Sequence, residues 1–182
     1  ETVSEQKQHV DIEYRALAVA NPDRENAIIN VLRYYEARNA IVFCSTRAAV
    51  NHLTSRLHNR GFSVVALSGE LSQNERTHAL QAMRDGRARV CIATDVAARG
   101  IDLPGLELVI HADLPTNSET LLHRSGRTAR AGRDGWAVTL AEYNQHTTCR
   151  IIQRGLRLDI QPPIEVFSNA VRLRDLFSFL DN

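Results

Sequence analysis

The chain has 182 residues, 43% of them hydrophobic, and carries 22 Lys and Arg against 21 Asp and Glu, for a formal net charge of +1. This length and hydrophobic content are ordinary for one soluble globular domain with a substantial core. The near-neutral charge excludes a protein that holds nucleic acid by its overall positive charge, so any attraction to phosphate must be local.

Cysteine usage and hydropathy bear on where the protein works. Cys44, Cys91 and Cys149 are widely spaced and form no C-x-x-C or Cys/His ligand pattern. We therefore expect reduced thiols in a cytoplasmic protein and no metal site. No apolar run approaches the ~18–20 residues that span a bilayer and no signal peptide opens the chain, so we expect no membrane partner. Because the first residue is Glu1 and not Met, we expect a longer parent protein.

The first two predicted elements are a strand and a helix. In residues 9–19, apolar and polar residues first alternate and a continuous apolar run follows, which indicates a strand. Asn21-Pro22 is typical of a helix start, with an N-cap side chain followed by proline at the first helical position. The helix is predicted to end near Arg38. Its apolar residues at helical spacing are Ile28, Val31, Leu32 and Tyr35.

A buried strand is predicted next. Residues 40–44 form a short apolar run bounded by polar residues, which is typical of a strand buried on both faces and so of a parallel sheet. The helix that follows is predicted to end at Gly61, a residue type suited to a helix C-terminus. The apolar face of that helix consists of Val50, Leu53 and Leu57. Residues 63–67 then read as another strand.

Ser72 and Glu75 match the S-x-x-E capping box, in which the serine side chain caps a backbone N–H and the glutamate returns the bond. A helix is therefore predicted to begin at Gln73. Gln73 and Arg76 lie on the same side of its positive first turn, where they suit a sugar-phosphate backbone. A capped surface helix with an incidental arginine remains the alternative.

A polar segment follows the strand predicted at residues 89–93. Ligands bind at the carboxyl ends of the strands in open α/β sheets, so residues 94–102 are placed at a binding edge. This segment clusters a hydroxyl, a carboxylate and a guanidinium within nine residues. Gly100 permits a tight turn, which lets Asp102 point back toward a ligand hydroxyl.

A basic stretch, residues 123–133, has arginine at every third position and no acidic side chain. It follows a strand predicted at residues 106–111 and a helix opened by a second capping box at residues 116–119. Arginine offers phosphate a flat, permanently charged fork, and the small residues between let the backbone come close. A solvated face that complements the helix dipole remains the alternative.

The remaining elements complete an alternating pattern. Residues 136–141 are predicted as a strand and residues 143–155 as a closing helix. Strands and helices thus alternate at least five times, which predicts an α/β fold with a three-layer αβα doubly wound parallel sheet. We assign residues 1–160 to this domain and residues 161–182 to a linker and an amphipathic helical tail. The apolar stripe of the tail is Leu173, Leu176, Phe177 and Leu180.

Four segments in fixed order resemble the C-terminal RecA-like domain of DEAD-box RNA helicases, over about residues 9–160. Residues 41–47 are similar to motif IV of that family and residues 68–76 to motif IVa. Residues 93–102 are similar to motif V and residues 123–133 to motif VI. Each motif is short, but an ordered set of four is hard to produce by chance. The resemblance implies a RecA-like fold and ATP-dependent unwinding of RNA.

The resemblance also implies which residues meet ATP. In that family ATP lies between two RecA-like domains, and this domain supplies arginines to the γ-phosphate. Arg127 and Arg130 are similar to those arginines, with Arg130 as the better candidate for the arginine finger. Asp102 resembles the residue that meets the ribose. Arg99 and His123 resemble residues that couple the two domains.

Six further positions resemble those that face the RNA backbone in the family. They are Thr46, Arg47, Gly69, Gln73, Arg76 and Thr94. Such contacts fix orientation and carry little sequence information. Two residues depart from the family pattern, because Ala129 stands where glycine is usual and Ser68 where histidine is usual. The first departure bears on the geometry of Arg130.

No G-x-x-x-x-G-K-[ST] loop and no D-E-A-D run occurs in the 182 residues. The resemblance therefore implies that an N-terminal RecA-like domain holds Mg and the rest of ATP, and that this chain alone is inactive as an ATPase. Two alternatives stay open. One is a binding or assembly module that meets a partner or itself through residues 164–182, and the other is a helicase of the same superfamily that acts on DNA.

Overall fold

The computed structural model of the chain describes residues 12–36, 38–101, 103, 106–128, 135–158 and 160–165. The strands in these ranges are β1 (Ile12–Val19), β2 (Ala40–Phe43), β3 (Val64–Leu67), β4 (Val90–Ala93), β5 (Leu108–His111), β6 (Gly135–Glu142) and β7 (Ile164–Glu165). The α-helices are α1 (Arg24–Tyr35), α2 (Arg47–Asn59), α3 (Gln73–Arg84), α4 (Ser118–Ser125) and α5 (His146–Arg154). Short 3-10 turns at Asn21–Asp23 and Tyr143–Gln145 precede α1 and α5.

The strands form one parallel sheet in the order β3-β4-β2-β5-β6-β1-β7. On one face, α1 and α2 pack over a core that includes Val42 and Ile110. On the other face, α3 packs over Ile41 and Val109, the alternate residues of the same strands. Because both faces are covered, these strands are continuously apolar. The predicted three-layer αβα sheet is confirmed.

The start of α1 differs from the prediction. Asn21 does not cap the helix, because Asn21 and Pro22 lie inside a 3-10 turn that begins after Ala20 and has no side-chain cap. The helix proper starts at Arg24 and ends at Tyr35, before the predicted end near Arg38. Glu36 takes a left-handed conformation (φ 54°), which stops the helix and turns the chain toward β2.

The two predicted capping boxes have different outcomes. The first is confirmed, since Ser72 Oγ accepts from Glu75 N (3.1 Å) and Ser72 N donates to Glu75 Oε1 (3.2 Å). The second is wrong by one residue, because Asn117 caps α4 by accepting from Thr120 N (2.8 Å). Ser118 therefore enters the helix, and its hydroxyl donates to the Ile152 carbonyl of α5 (2.7 Å). This contact between α4 and α5 determines that α4 begins at Ser118.

The predicted closing helix is a 3-10 turn followed by α5. Ile152 is buried, whereas Ile151 is 62% exposed. The chain then returns along the sheet, where Arg150 donates to the Ile160 carbonyl (2.9 Å) and β7 pairs with Leu17 and Ala18. The domain division at residue 160 stays a prediction, and the apolar stripe of the tail lies outside the described residues.

The three cysteines are free and buried. Burial raises the pKa of Cys44 and of Cys91 to about 12 and that of Cys149 to about 11, so all three are neutral thiols near pH 7. Within the described residues, no helix has both the length and the apolar character that crossing a bilayer requires.

We expect the substitution Gly155→Ala to destabilise the fold at the α4–α5 contact. A Cβ atom at this position would lie 1.9 Å from Ser118 Oγ and 2.7 Å from Ser118 Cβ, and the hydroxyl is already held by Ile152. Overpacking of this kind costs about 1–3 kcal/mol. Urea denaturation measures the loss. Gly69→Ala is the matched control, because no atom lies within 4 Å of its added Cβ.

Candidate functional site

The predicted RNA-facing segments meet at one edge of the sheet. Strands β3, β4 and β2 are consecutive neighbours in the sheet, and all run in the same direction. Residues 68–76 follow β3, residues 94–100 follow β4 and residues 45–47 follow β2. Because the carboxyl ends of parallel strands share an edge, the three segments lie side by side.

The turn after β2 is held by the carboxylate of Asp113. Ser45 N donates to Asp113 Oδ2 (3.0 Å), while Arg24 Nη1 donates to Asp113 Oδ1 (2.6 Å). Thr46 then caps α2, since its Oγ1 accepts from Ala49 N (3.1 Å). The N-terminus of α2, with its positive end, is thus fixed at the sheet edge.

Exposed polar side chains cover this edge between β2 and β3. Arg47 pairs with Glu70 Oε1 at 2.8 Å, with 59% and 62% of the two side chains exposed. An ion pair this exposed contributes little to stability, so releasing Arg47 from Glu70 to bind another anion costs little. Gly69 and Gln73 are also exposed, and the first turn of α3 presents Gln73 beside its capping box.

The side chains of Arg76 and Thr94 are hydrogen-bonded to the backbone of the loop after β4. Arg76 Nη1 donates to the Ala97 carbonyl and Nη2 to the Arg99 carbonyl (3.0 Å). Thr94 is 8% exposed, and its Oγ1 accepts from Ala97 N (3.3 Å). Gly100 has φ +70°, as the predicted tight turn requires. The contacts of Arg76 and Thr94 with RNA stay a prediction.

A cleft of about 260 Å³ separates the loop after β4 from α4. We call it the arginine cleft, because its wall carries the side chains of Arg99, His123, Arg124 and Arg127. Arg127 is half-buried and its Nη1 approaches the Ile101 carbonyl at 3.4 Å. The fold thus brings together both predicted coupling residues and one predicted phosphate-binding arginine. Asp102 and Arg130 lie outside the described residues.

Arg124 is a residue of the site to which the sequence analysis gave no role of its own. Its Nε and Nη2 donate to the two oxygens of Asp95, each at 2.7 Å, and only 4% of the side chain is exposed. The guanidinium also lies over the Phe43 ring, 5.4 Å from its centroid. This bidentate pair joins α4 to the loop after β4 and lines the cleft between them. The sequence signal was the acidic Asp95, two residues after the end of a buried strand.

A network of buried polar side chains lies next to Arg124 on the side away from solvent. His111 is fully buried, stacks on Phe43 (6.3 Å between centroids) and has Nε2 3.1 Å from Ser125 Oγ. Burial, together with the Arg124 charge, holds the pKa of His111 well below its usual value. Ser125 also hydrogen-bonds Tyr14, whose pKa is raised above its usual value by burial. Both rings are therefore neutral near pH 7.

The charges of the arginine cleft suit an anion. Asp95 is already held at both oxygens by Arg124, whereas the side chains of Arg99 and His123 have no partner among the described residues. Arg124 Nη1 is buried and has no hydrogen-bond acceptor. Arg99, which is exposed, has the donors that a phosphate oxygen requires. The described residues include no group of three His, Cys, Asp or Glu side chains that is placed to hold a metal ion.

The chain matches a protein-family model. Residues 23–132 match the model described as the helicase conserved C-terminal domain. The DEAD-box ATP-dependent RNA helicase 53 of Oryza sativa subsp. japonica is 44% identical over 132 residues, which cover 71% of this chain and 22% of that protein. The chain spans between a fifth and a third of the length of the curated relatives it matches.

Solved structures agree in fold. The E. coli DEAD-box protein SrmB, bound to regulator of ribonuclease activity A, matches with a TM-score of 0.75 at 36% identity, over 89% of this chain and 92% of that chain. S. cerevisiae Dbp5 bound to RNA and ADP BeF3 matches with a TM-score of 0.78 at 28% identity, over 92% of this chain and 44% of that chain.

We expect Asp95→Asn to destabilise the fold by about 2–3 kcal/mol, because it leaves the buried Arg124 without its counter-ion. The expected loss is below that of a fully buried pair, since 44% of the Asp95 side chain is exposed. Chemical denaturation measures it. Glu70→Gln removes an exposed ion pair instead and should stay within about 0.5 kcal/mol of the wild type. Equal effects of the two substitutions would contradict a structural role for the Asp95–Arg124 pair.

We expect His111 to make the fold sensitive to mild acid. Its pKa in the native state is lower than the 6.5 of an unperturbed histidine, so below about pH 6.5 the unfolded chain binds a proton that the native chain does not. The free energy of unfolding therefore decreases as the pH is lowered, by up to about 1.4 kcal/mol per pH unit. Urea unfolding between about pH 7 and pH 5 measures the slope. His111→Gln should flatten it, and His78→Gln, at an exposed position, should not.

Proposed function

We infer the function of this chain from its family: it belongs to the helicase conserved C-terminal domain family and is the C-terminal RecA-like domain of a DEAD-box RNA helicase. We propose that it forms half of an ATP-dependent active site, which an N-terminal RecA-like domain completes. In this proposal the chain supplies positive charge to the phosphates and a backbone-binding edge to RNA. The observation that carries the proposal is the arginine cleft beside that edge.

The arginine cleft supports a role in phosphate chemistry because its cations are arranged before any ligand binds. Arg127 extends from the end of α4, Arg99 comes from the loop after β4, and the Arg124–Asp95 pair holds these two elements together. Bound ATP supplies the phosphoryl group and the free energy of its hydrolysis. Arg127 and Arg130 stabilise charge on that group as it transfers, which is worth roughly 10³–10⁵ in rate for arginine fingers.

Domain closure is the proposed role of Arg99 and His123. Both side chains are exposed on the wall of the cleft and have no partner among the described residues. They are therefore available to the surface of a second domain. Asp102 is proposed to bind the ribose hydroxyl, and Mg is proposed to be held by the N-terminal domain. The isolated chain should then not hydrolyse ATP.

RNA is proposed to lie along the carboxyl ends of β2, β4 and β3. The N-termini of α2 and α3 both open onto that edge, where free N–H groups favour phosphate. Arg47 and Gln73 add side-chain donors, while Arg76 and Thr94 hold the loop between them. Contacts of this kind grip the backbone and read no bases. Closure on ATP would clamp one strand in a bent form and so open a short duplex.

We expect the substitutions Arg127→Ala and Arg130→Ala each to abolish most RNA-stimulated ATP hydrolysis when this chain is fused to a DEAD-box N-terminal domain. The expected loss in kcat is about 10³-fold, the effect of removing an arginine finger. A phosphate-release assay measures it. Arg154→Ala is the matched control, because Arg154 is an exposed arginine on α5, outside the arginine cleft.

Two results would contradict the proposal. One is ATP hydrolysis by the fused protein that survives both substitutions. The other is ATP hydrolysis by the isolated wild-type chain. The first result with RNA binding intact would favour a binding module without a catalytic role.

A further inference from the structure

A second depression lies beside the edge strand β3, toward the amino ends of the strands and away from the arginine cleft. It has a volume of about 480 Å³. Its apolar lining consists of Phe62, Val64, Val65, Ala82 and Ala88. Arg87 and His58 stand at its rim. We call this depression the β3 groove.

The β3 groove crosses the outer edge of the sheet. β3 is the terminal strand, and β4 is its neighbour in the sheet. Val64 packs against the core under α1 and α2, whereas Val65 packs against the core under α3. Both residues line the groove, so the groove reaches both faces of the strand. The strand edge between them is therefore open to a ligand.

The backbone of β3 offers unpaired groups at this edge. Val90 N donates to Ser63 O (3.2 Å), and Arg89 O accepts from Ala40 N of β2 (2.8 Å). Because bonding alternates along a parallel ladder, Ser63 and every second residue after it face β4. The N–H and C=O groups of Val64 and Ala66 therefore face outward. No partner for them occurs among the described residues.

Arginine residues adjoin the groove, because Arg87 lines it and Arg60 and Arg89 are the chain neighbours of its lining residues Gly61 and Ala88. Arg60 in the turn before β3 and Arg87 and Arg89 in the loop before β4 are exposed. Asp85 is the one acidic residue in these two connections, and it already pairs with Arg87 (3.1 Å). The side chains of Arg60 and Arg89 have no partner among the described residues. A ligand with negative charge fits this surface.

We propose that the β3 groove binds an acidic, extended segment of a partner protein, which adds to the sheet as a strand beside β3. The outward N–H and C=O groups of Val64 and Ala66 pair with a peptide backbone, and the arginines select acidic side chains. RNA fits less well, because it has no matching backbone ladder. Phe62 is also half-buried, with the Arg33 guanidinium over its ring (5.9 Å), so it does not offer a free face for base stacking.

The test is a selection of random dodecapeptides, displayed on phage, against the complete immobilised chain. We expect enrichment of sequences with net negative charge and apolar residues at alternate positions, because one face of the added strand meets the apolar lining. The enriched peptide is then synthesised with a fluorescent label, and its Kd is measured by anisotropy. A labelled oligouridine of similar length and a lysine-for-glutamate version of the peptide are measured beside it.

Two kinds of variant separate the backbone contribution from the charge contribution. Ala66→Pro removes one outward N–H and leaves the bonds to β4 intact, which edge strands tolerate. The double charge reversal Arg60→Glu with Arg89→Glu keeps the backbone unchanged. We expect each to weaken peptide binding about tenfold or more, whereas Arg154→Glu on α5 should not change it. Thermal melting confirms that each variant is folded.

The proposal is overturned if the wild type enriches no acidic sequences, or if both the proline variant and the charge reversal bind the enriched peptide as tightly as the wild type. It is also overturned if the oligouridine competes for the groove and binds it more tightly than the peptide, which would make the groove a nucleic-acid surface. A concentration-dependent dimer that Ala66→Pro abolishes would show that the occupant is a second copy of this chain.

Discussion

The bidentate pair between Arg124 and Asp95 is the interaction on which the functional edge depends. It places a permanent charge where only 4% of the side chain meets solvent, and the two hydrogen bonds of 2.7 Å keep that charge compensated. Burying the ion pair costs desolvation free energy. The pair therefore matters for geometry, because it holds α4 and the loop after β4 in one orientation. Arg127 and Arg99 occupy opposite walls of a preformed cleft for that reason.

Sheet order extends the same constraint to the rest of the edge. The loop after β4 is bound on one side by Arg124 and on the other by Arg76, whose guanidinium reaches two of its carbonyls. The loop is therefore a mechanical link between the arginine cleft and the start of α3. A ligand bound in the arginine cleft and an RNA strand bound along α3 would both contact this loop. Coupling between two sites requires a shared element of this kind.

The two ends of the strands have different chemistry. At the carboxyl ends, the N-termini of α2 and α3 and the exposed Arg47 lie at the surface, while near the amino end of β3 an open strand edge adjoins a groove that Arg87 helps to line. An uncovered edge is a liability for aggregation, and charged residues are a common protection. In the proposed interaction, the same charges also select an acidic chain. Under the proposed functions, one sheet separates a surface for nucleotide and RNA from a surface for protein.

The sequence by itself determined the strands β1 to β6, the helices and the arginine-containing motifs, because those depend on local patterns, whereas β7 lies in residues predicted as a linker and helical tail. Buried parallel strands are continuously apolar, and the capping box of Ser72 and Glu75 closes within one turn. Only the tertiary structure decided which residues share a site. Asn117 displaced Thr116 as the helix cap because Ser118 bonds to α5. Arg124 looked like one of four equivalent arginines, and its burial against Asp95 arises from strand order, which no local pattern encodes.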